Sequence, residues 1–172
     1  ILNALQSARA MLRQQSPTGQ DTIEFAVPHT LAFTFFPAWL SGLRDSVGAV
    51  KTRLIALNVH DAAMRLIEGS CDLLIAYHHA SQPIQLDAAR YEMLPLGNEV
   101  LAPYVKPNAM GEPLYPLPGT AAQPWPYLAY APGAYLGRVV DWVLQQSGQA
   151  MHMECVYETD MSESLKAMAI AG

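Results

Sequence analysis

The chain has 172 residues, of which 51% are hydrophobic and 15% are charged. This length and composition allow a buried core and exclude a disordered chain. Ten Lys and Arg against 15 Asp and Glu give a net charge of −5, which is the wrong sign for a surface that must neutralise phosphates. We therefore expect any contact with DNA to be made by another part of the protein.

The sequence also predicts where the protein is located and the redox state of its cysteines. No stretch has the length of a transmembrane helix or the pattern of a secretory signal peptide, so we expect a cytoplasmic protein. Cys71 and Cys155 lack the spacing of metal ligands. We expect two reduced, mostly buried thiols, with a sensing disulfide between them as the alternative.

The first 19 residues predict a linker. Apolar residues recur in a heptad-like stripe over residues 1–15, which favours the end of a longer helix that packs against a partner. Ser, Pro, Thr and Gly at residues 16–19 then break that helix. We therefore read residues 1–19 as a linker helix and its break.

Residues 23–43 predict a strand that runs directly into a helix. Apolar residues alternate with others over Ile23–Val27, at the two-residue period of a strand. Thr30 is a plausible N-cap. Pro37 fits the first turn of a helix that begins near residue 36, and a loose opening turn over residues 31–35 is the alternative.

Two further strands, residues 50–57 and 71–77, flank a predicted helix over residues 59–68. Strands alternating with helices favour an α/β fold with a parallel sheet. Because the carboxyl ends of parallel strands meet at one edge, we expect that edge to carry three polar residues, namely His29, Asn58 and Tyr77. His78 and His79 follow, and we expect them to be solvent-facing loop histidines unless one faces a ligand.

A second α/β unit follows a proline-rich loop. Five prolines between residues 113 and 126 exclude a helix there. The pattern then predicts strands over residues 127–130 and 151–157, and extended segments around Met93 and residues 99–104. The predicted helices are residues 135–146, with Val139, Trp142 and Val143 facing inward, and residues 161–171, with Asp160 and Ser162 as candidate caps. We assign residues 20–101 to a first lobe and 102–172 to a second.

These features together resemble the effector-binding domain of LysR-type transcriptional regulators. The segments that carry the resemblance are LIEGSCDLLIAY, EVLAPYVKP and SLKAMAIAG, and it covers essentially the whole chain. It implies an α/β, two-lobed fold like a type 2 periplasmic binding protein, with the C-terminal part of the first lobe missing. It also implies a winged helix-turn-helix outside this chain that binds DNA, and assembly as a homodimer or homotetramer.

Within that family, GAYLGRVVDWVLQ and DMSESLKAMAIAG are most similar to hypochlorite-responsive regulators, which sense oxidant through methionine. Met161 stands where that group carries a methionine, so the resemblance implies a redox-sensing role for it. Leu43 and Leu136 stand where relatives carry methionines. We expect Met161 to be more exposed than Met64 and Met168, and its alternative role is packing at the lobe boundary.

We expect a small-molecule effector or an oxidant in the cleft between the lobes. The candidate effector-binding residues are His29, Thr30, Tyr77, His78, Tyr130, Asp160 and Ser162. Exposed amides at a helix start suit an anion or an ordered water, whereas a helix cap beside a structural histidine is the alternative. No ligand spacing indicates a metal or a cofactor.

Catalysis has little support, since the sequence has neither a Gly-x-Ser-x-Gly elbow nor a phosphate-binding loop. The function we predict is an effector- or oxidant-sensing regulatory domain that signals by lobe movement to DNA-binding modules. The alternatives are the same domain sensing a small anion and a free-standing solute-binding protein.

Overall fold

A computed structural model describes residues 22–172. The predicted linker helix lies outside these described residues. The chain divides into two compact units: the first comprises the described residues up to His78 together with Ile84–Leu86, and the second comprises His79–Pro83 and Asp87–Gly172. The lobe boundary that we placed after residue 101 stays a prediction.

Three parallel strands form the sheet of the first unit, in the order β2-β1-β3. They are β1 (Thr22–Pro28), β2 (Lys51–Leu57) and β3 (Leu73–Leu74). The prediction of an α/β fold with a parallel sheet is confirmed. β3 is shorter than the predicted strand, although the amides of Asp72 and Ile75 still donate to β1 carbonyls at 2.9 and 3.1 Å.

Strand β1 runs directly into two consecutive helices, α1 (His29–Thr34) and α2 (Phe36–Val47). Pro37 lies in the first turn of α2, as predicted, because it has no amide to donate and its ring blocks the preceding turn. The prediction that Thr30 caps a helix was wrong. Thr30 lies inside α1, whose N-cap position is Pro28, with no side-chain hydrogen bond.

An aromatic cluster fixes this corner. Phe25 and Val27 of β1 are 1% and 0% exposed, and they pack against α1 and α2. The Phe25 ring meets the rings of Phe36 and Trp39 edge-on, with centroids 5.1 and 5.8 Å apart. Aromatic pairs of this geometry contribute about 0.5–1.5 kcal/mol beyond the area that they bury. The packing therefore sets the direction in which the chain leaves β1.

Helix α3 (Val59–Ile67) covers the opposite face of β1. Ala26 and Ala62 are both fully buried there, beside Cys71, and their small side chains let the helix approach the sheet closely. Asn58 caps α3 by accepting the Asp61 amide at 2.8 Å. This face completes the first unit.

The second unit contains a two-stranded parallel sheet of β4 (Trp125–Tyr130) and β5 (Met153–Thr159). Helix α4 (Tyr135–Gln146) follows β4, and α5 (Ser162–Ala171) follows β5. The predicted bounds of α4 are confirmed. Val139 is buried as predicted, whereas Trp142 and Val143 are 39% and 41% exposed, so the prediction that both face inward was wrong.

The described chain between β3 and β4 forms no helix and no strand. The prolines between residues 113 and 126 predicted that no helix forms there, which is confirmed. The extended segments expected around Met93 and residues 99–104 do not pair as strands. Hydrogen bonds hold the proline-rich loop, since the Trp125 indole donates to the Pro116 carbonyl at 2.8 Å and the His152 amide donates to the Pro118 carbonyl at 2.8 Å.

The two cysteines are free thiols in different surroundings. Cys71 is buried, as expected, whereas Cys155 is exposed on β5, so the expectation that both are buried was wrong for Cys155. Its side chain lies on a two-stranded sheet that offers little cover. Among the residues described, no helix is long and apolar enough to cross a membrane.

Two helical glycines give a matched test of the packing. A Cβ at Gly137 in α4 would lie 2.7 Å from the Ala131 carbonyl oxygen, whereas a Cβ at Gly42 in α2 meets nothing within 4 Å. We expect Gly137→Ala to destabilise the protein by about 1–3 kcal/mol through overpacking. Gly42→Ala should stabilise it by about 0.5–1 kcal/mol because alanine has less backbone freedom to lose.

Chemical denaturation followed by circular dichroism measures both changes in the free energy of unfolding. Equal and favourable effects of the two substitutions would contradict the close approach of α4 to the chain at residue 131.

Candidate functional site

The carboxyl edge of the first sheet carries predicted residues at the ends of its strands. Pro28 and Leu57, the last residues of β1 and β2, are partners in the sheet, so His29 and Asn58 leave the same edge. The Asn58 side chain already accepts from and donates to Asp61, both at 2.8 Å. Asn58 is therefore committed to capping α3.

The other candidates of the first unit differ in exposure. His29 and His78 are exposed, while Thr30 and Tyr77 are half-buried. Tyr77 packs against the apolar cluster that contains Phe25. The Thr30 carbonyl accepts the Thr34 hydroxyl at 2.8 Å, a bond along α1. The structure thus places these residues near one sheet edge, with His29 and His78 open to solvent.

The second unit places four predicted residues at the carboxyl edge of its sheet. Tyr130 is the last residue of β4, and its hydroxyl lies 2.6 Å from the Ser162 Oγ at the start of α5. Met161 precedes Ser162, and its amide donates to the Thr159 hydroxyl at 3.2 Å. Asp160 lies between Thr159 and Met161 and is exposed. Residues 159–162 thus form one polar corner with a methionine in it.

Met161 itself occupies the N-cap position of α5. Its carbonyl accepts the amides of Ser164 and Leu165 at 3.1 and 3.2 Å, and no side chain caps the helix. The prediction that Asp160 or Ser162 caps α5 was therefore wrong, and the reason is that Ser162 turns its hydroxyl toward Tyr130 instead. Backbone geometry alone starts this helix.

Exposure does not distinguish Met161 from the other helical methionines. Met161 is 40% exposed, Met64 38% and Met168 45%. Met161 is slightly more exposed than Met64, as expected. It is less exposed than Met168, so the expectation was wrong for Met168, because α5 buries none of its residues. Met93 and Met110, at 71% and 80%, are far more exposed than any of them.

The sequence reasoning missed a cluster on α4. The His79 amide donates to the Tyr135 hydroxyl at 2.7 Å, and the His79 ring lies 5.1 Å from the Trp142 ring. His79 is half-buried rather than a solvent-facing histidine. Tyr135 and Trp142, seven residues apart on one helix face, were the available signal for a docking surface.

Burial changes the acidity of two phenols in this unit. It raises the pKa of Tyr127, and the negative charge of Asp141 adds to the effect, followed by Cys155 and Tyr130. Burial also raises the pKa of Tyr135, although the His79 amide and the Arg138 guanidinium partly lower it. Both hydroxyls are therefore neutral at physiological pH. In residues 22–172, no group of three or more His, Cys, Asp or Glu is arranged to hold a metal ion.

An α/β domain of periplasmic-binding-protein type, with polar residues at the carboxyl ends of its strands, is the class that these observations define. Residues 16–172 match the family model of the LysR substrate binding domain, and the chain belongs to this family. The fold class predicted from the sequence is thereby confirmed.

Relatives of known structure or name support this assignment. The chain is 28% identical over 173 residues to the HTH-type transcriptional regulator YjiE of Escherichia coli (strain K12), a match that covers 100% of this chain and 53% of YjiE. This chain therefore spans about half the length of that relative. The structure of Vibrio fischeri DarR in complex with DNA matches 98% of this chain and 55% of its own, with 21% identity and a TM-score of 0.70, which supports the fold.

A third relative is HypT from Salmonella typhimurium, described as a hypochlorite-specific LysR-type transcriptional regulator. Its full-length structure is 26% identical, with a TM-score of 0.63, over 99% of this chain and 55% of HypT. A bromide-bound structure of the HypT regulatory domain is 25% identical, with a TM-score of 0.59, over 88% of this chain and 66% of that domain.

The raised pKa of Tyr127 predicts a loss of stability in alkali. Below pH 10.0, the ordinary pKa of tyrosine, the phenol is protonated in both the folded and the unfolded chain. As the pH rises above that value, the unfolded chain ionises first, and folding loses free energy until the folded phenol also ionises. Tyr127→Phe should therefore flatten the alkaline fall in stability, which urea denaturation at a series of pH values measures.

Tyr104→Phe is the control, because Tyr104 is 84% exposed. It should leave the alkaline fall unchanged. If the free energy of unfolding falls equally steeply with pH in Tyr127→Phe and in the wild type, burial does not raise the pKa of Tyr127.

Proposed function

We propose that this chain is the effector- or oxidant-sensing regulatory domain of a LysR-type transcription factor and acts in the cytoplasm. In this proposal, a change at the start of α5 is passed to a winged helix-turn-helix outside this chain, which binds DNA. Family membership supports the regulatory role over that of an enzyme or a free-standing solute-binding protein. The net charge of −5 supports the assignment of DNA binding to another domain.

The observation that carries the oxidant version is the position of Met161. It stands at the N-cap of α5, partly exposed, and precedes Ser162, whose hydroxyl pairs with that of Tyr130. Hypochlorous acid transfers its oxygen to the Met161 sulfur, chloride leaves, and a proton is released to water. The apolar thioether becomes a sulfoxide, whose oxygen is a strong acceptor of hydrogen bonds.

Ser162, the next residue along the chain, carries a hydroxyl, and that hydroxyl pairs with the one of Tyr130. Tyr130 and Ser162 share one hydrogen bond at 2.6 Å, so one of their two protons is not needed for it. The sulfoxide oxygen next to Ser162 can accept that spare proton as a new hydrogen bond. We infer that oxidation rearranges this hydroxyl pair and so alters the contact between α5 and β4.

The charges around Met161 favour a neutral reagent. Asp160 precedes it, and Glu163 lies in the first turn of α5, where it pairs with Lys166 at 3.7 Å. Because Lys166 offsets the charge of Glu163, Asp160 is the carboxylate that opposes an anion which the helix amides would otherwise attract. Undissociated hypochlorous acid carries no charge and meets no such opposition.

Met161→Leu tests the oxidant version. Leucine keeps the apolar volume and the backbone cap but cannot form a sulfoxide. In a reporter assay with the full-length regulator, we expect this variant to lose the response to hypochlorite. The free energy of unfolding, measured by thermal denaturation, should change by less than about 1.5 kcal/mol. Met168→Leu is the matched control because it lies on the same helix with nearly equal exposure, 45% against 40%. It should respond like wild type.

Peptide mass mapping after substoichiometric hypochlorite gives an independent measurement. Selective chemistry at Met161 requires that it oxidises faster than Met64 and Met168, whose exposures are similar. Oxidation that simply follows exposure, with Met110 and Met93 first and the three helical methionines together, would remove Met161 from the mechanism. An unchanged reporter response in Met161→Leu would do the same.

A second candidate function is the sensing of a small anion. The bromide-bound form of the HypT regulatory domain favours it, because that relative takes up a monovalent anion. In this chain, the candidate donors are Tyr130 and Ser162 of the second unit and His29 and Thr30 of the first. Tyr77, His78 and Asp160 are the remaining residues that we propose to bind the effector.

We also propose that the protein assembles as a homodimer or homotetramer.

Calorimetric titration with sodium bromide tests this alternative. If an anion binds at the start of α5, saturable heat should appear, and Ser162→Ala should weaken the affinity about tenfold, the equivalent of one lost hydrogen bond of about 1.4 kcal/mol. Ser164→Ala, two residues further along α5, is the control and should bind like wild type. Absence of saturable heat in the wild type would exclude bromide-like anions as effectors.

A further inference from the structure

Residues 79–83 form a short turn that belongs to the second unit, although the chain on both sides of it belongs to the first. His79 and Gln82 face each other in an isolated antiparallel bridge, in which the Gln82 amide donates to the His79 carbonyl at 2.9 Å. None of the proposed effector-binding residues lies in this turn. It is therefore a separate feature of the second unit.

Helix α4 holds the turn through three side chains on one face. The Tyr135 hydroxyl accepts the His79 amide at 2.7 Å, and the Arg138 Nε donates to the Gln82 Oε1 at 3.1 Å. The Trp142 ring lies against the His79 ring, with centroids 5.1 Å apart. These contacts span two turns of α4, so the turn is docked on the helix and is not a free loop.

The His79 imidazole closes the turn from inside. The Ser81 amide donates to its Nδ1 at 3.2 Å, and the Ser81 Oγ lies 2.7 Å from the same nitrogen. A backbone amide can only donate, so this contact needs an unprotonated Nδ1 with its lone pair free. The neutral ring must then carry its proton on Nε2.

We propose that the His79 turn is a proton-sensitive clasp, closed when the imidazole is neutral and opened when a proton from water binds Nδ1. The added proton occupies the lone pair that the Ser81 amide uses, so two N–H groups then face each other. The amide loses its acceptor while the ring becomes a cation. Histidine is the side chain whose charge changes at near-neutral pH. This inference does not depend on the function proposed above.

The groups around the ring determine what the cation does next. On α4, Arg138 and Asp141 are the charged residues that line the same pocket as Gln82 and Trp142, and the Tyr135 hydroxyl accepts the His79 amide. His78 is the neighbour of His79 in sequence. Trp142 offers a π face to which a cation is attracted. We therefore expect the protonated ring to stay on α4 while the backbone of residues 79–82 loosens around it.

Nitrogen-15 NMR of the protein, titrated between about pH 5 and 8, tests the clasp directly. At the alkaline end, the His79 ring should be the tautomer with its proton on Nε2. As the ring titrates, the Ser81 and Gln82 amide signals should move with the same midpoint. His79→Phe keeps the ring contact with Trp142 and the backbone amide to Tyr135 but removes Nδ1, so its Ser81 amide should show the open position at every pH.

His60→Phe is the matched control, because His60 is an exposed histidine on α3 of the first unit. In this variant, the Ser81 amide signal should shift with pH as it does in the wild-type protein. A proton on Nδ1 at the alkaline end would overturn the proposal, and that measurement needs only the wild-type protein. The proposal would also be overturned if the Ser81 amide signal stays fixed while the His79 ring titrates. The same holds if that signal still shifts with pH in His79→Phe.

Discussion

The packing of Phe25 against Phe36 and Trp39 is the interaction on which the arrangement of the first unit depends. It buries the end of β1 completely and turns the chain into α1 and α2 without a loop. Because the strand ends against its own helices, the next residue, His29, is placed at the carboxyl edge of the sheet. Parallel pairing with β2 then brings the start of α3 to the same edge. The ring contacts of Phe25 and the pairing of β1 with β2 thus decide where this unit presents polar groups.

The second unit also has a strand that leads into a helix, but a different interaction holds this corner. No aromatic cluster fixes the start of α5; instead, a hydroxyl pair, Tyr130 and Ser162, joins the ends of neighbouring elements at 2.6 Å. A hydrogen bond of this kind contributes about 0.5–1.5 kcal/mol net, less than a buried aromatic cluster. The start of α5 is accordingly the more easily altered of the two corners. A sensing role fits that difference, since a small chemical change can compete with one hydrogen bond but not with a core.

Periodicity predicted the elements whose apolar residues face a sheet. Strand β1, helix α4 and the parallel pairing were all accessible from the spacing of apolar residues, and Pro37 marked the start of α2. What periodicity could not supply was the partner of each polar side chain. Ser162 was expected to cap its own helix, but its hydroxyl faces Tyr130, 32 residues earlier in the chain. His79 was expected in solvent because nothing local shows that Tyr135 and Trp142, more than 50 residues later, receive it. The prediction that Trp142 faces inward was wrong for a related reason. The spacing of apolar residues identifies one face of a helix but does not show what covers that face.

The way α5 begins has a consequence for how residue 161 can vary. The helix is started by the carbonyl of Met161 rather than by its side chain, so every amino acid except one that distorts the backbone supplies the same start. A substitution or chemical change of the Met161 side chain therefore leaves the backbone hydrogen bonds that start α5 in place. Position 161 therefore accepts single substitutions that keep the start of α5, so the role proposed for Met161 can be removed or replaced there without a stabilising change elsewhere.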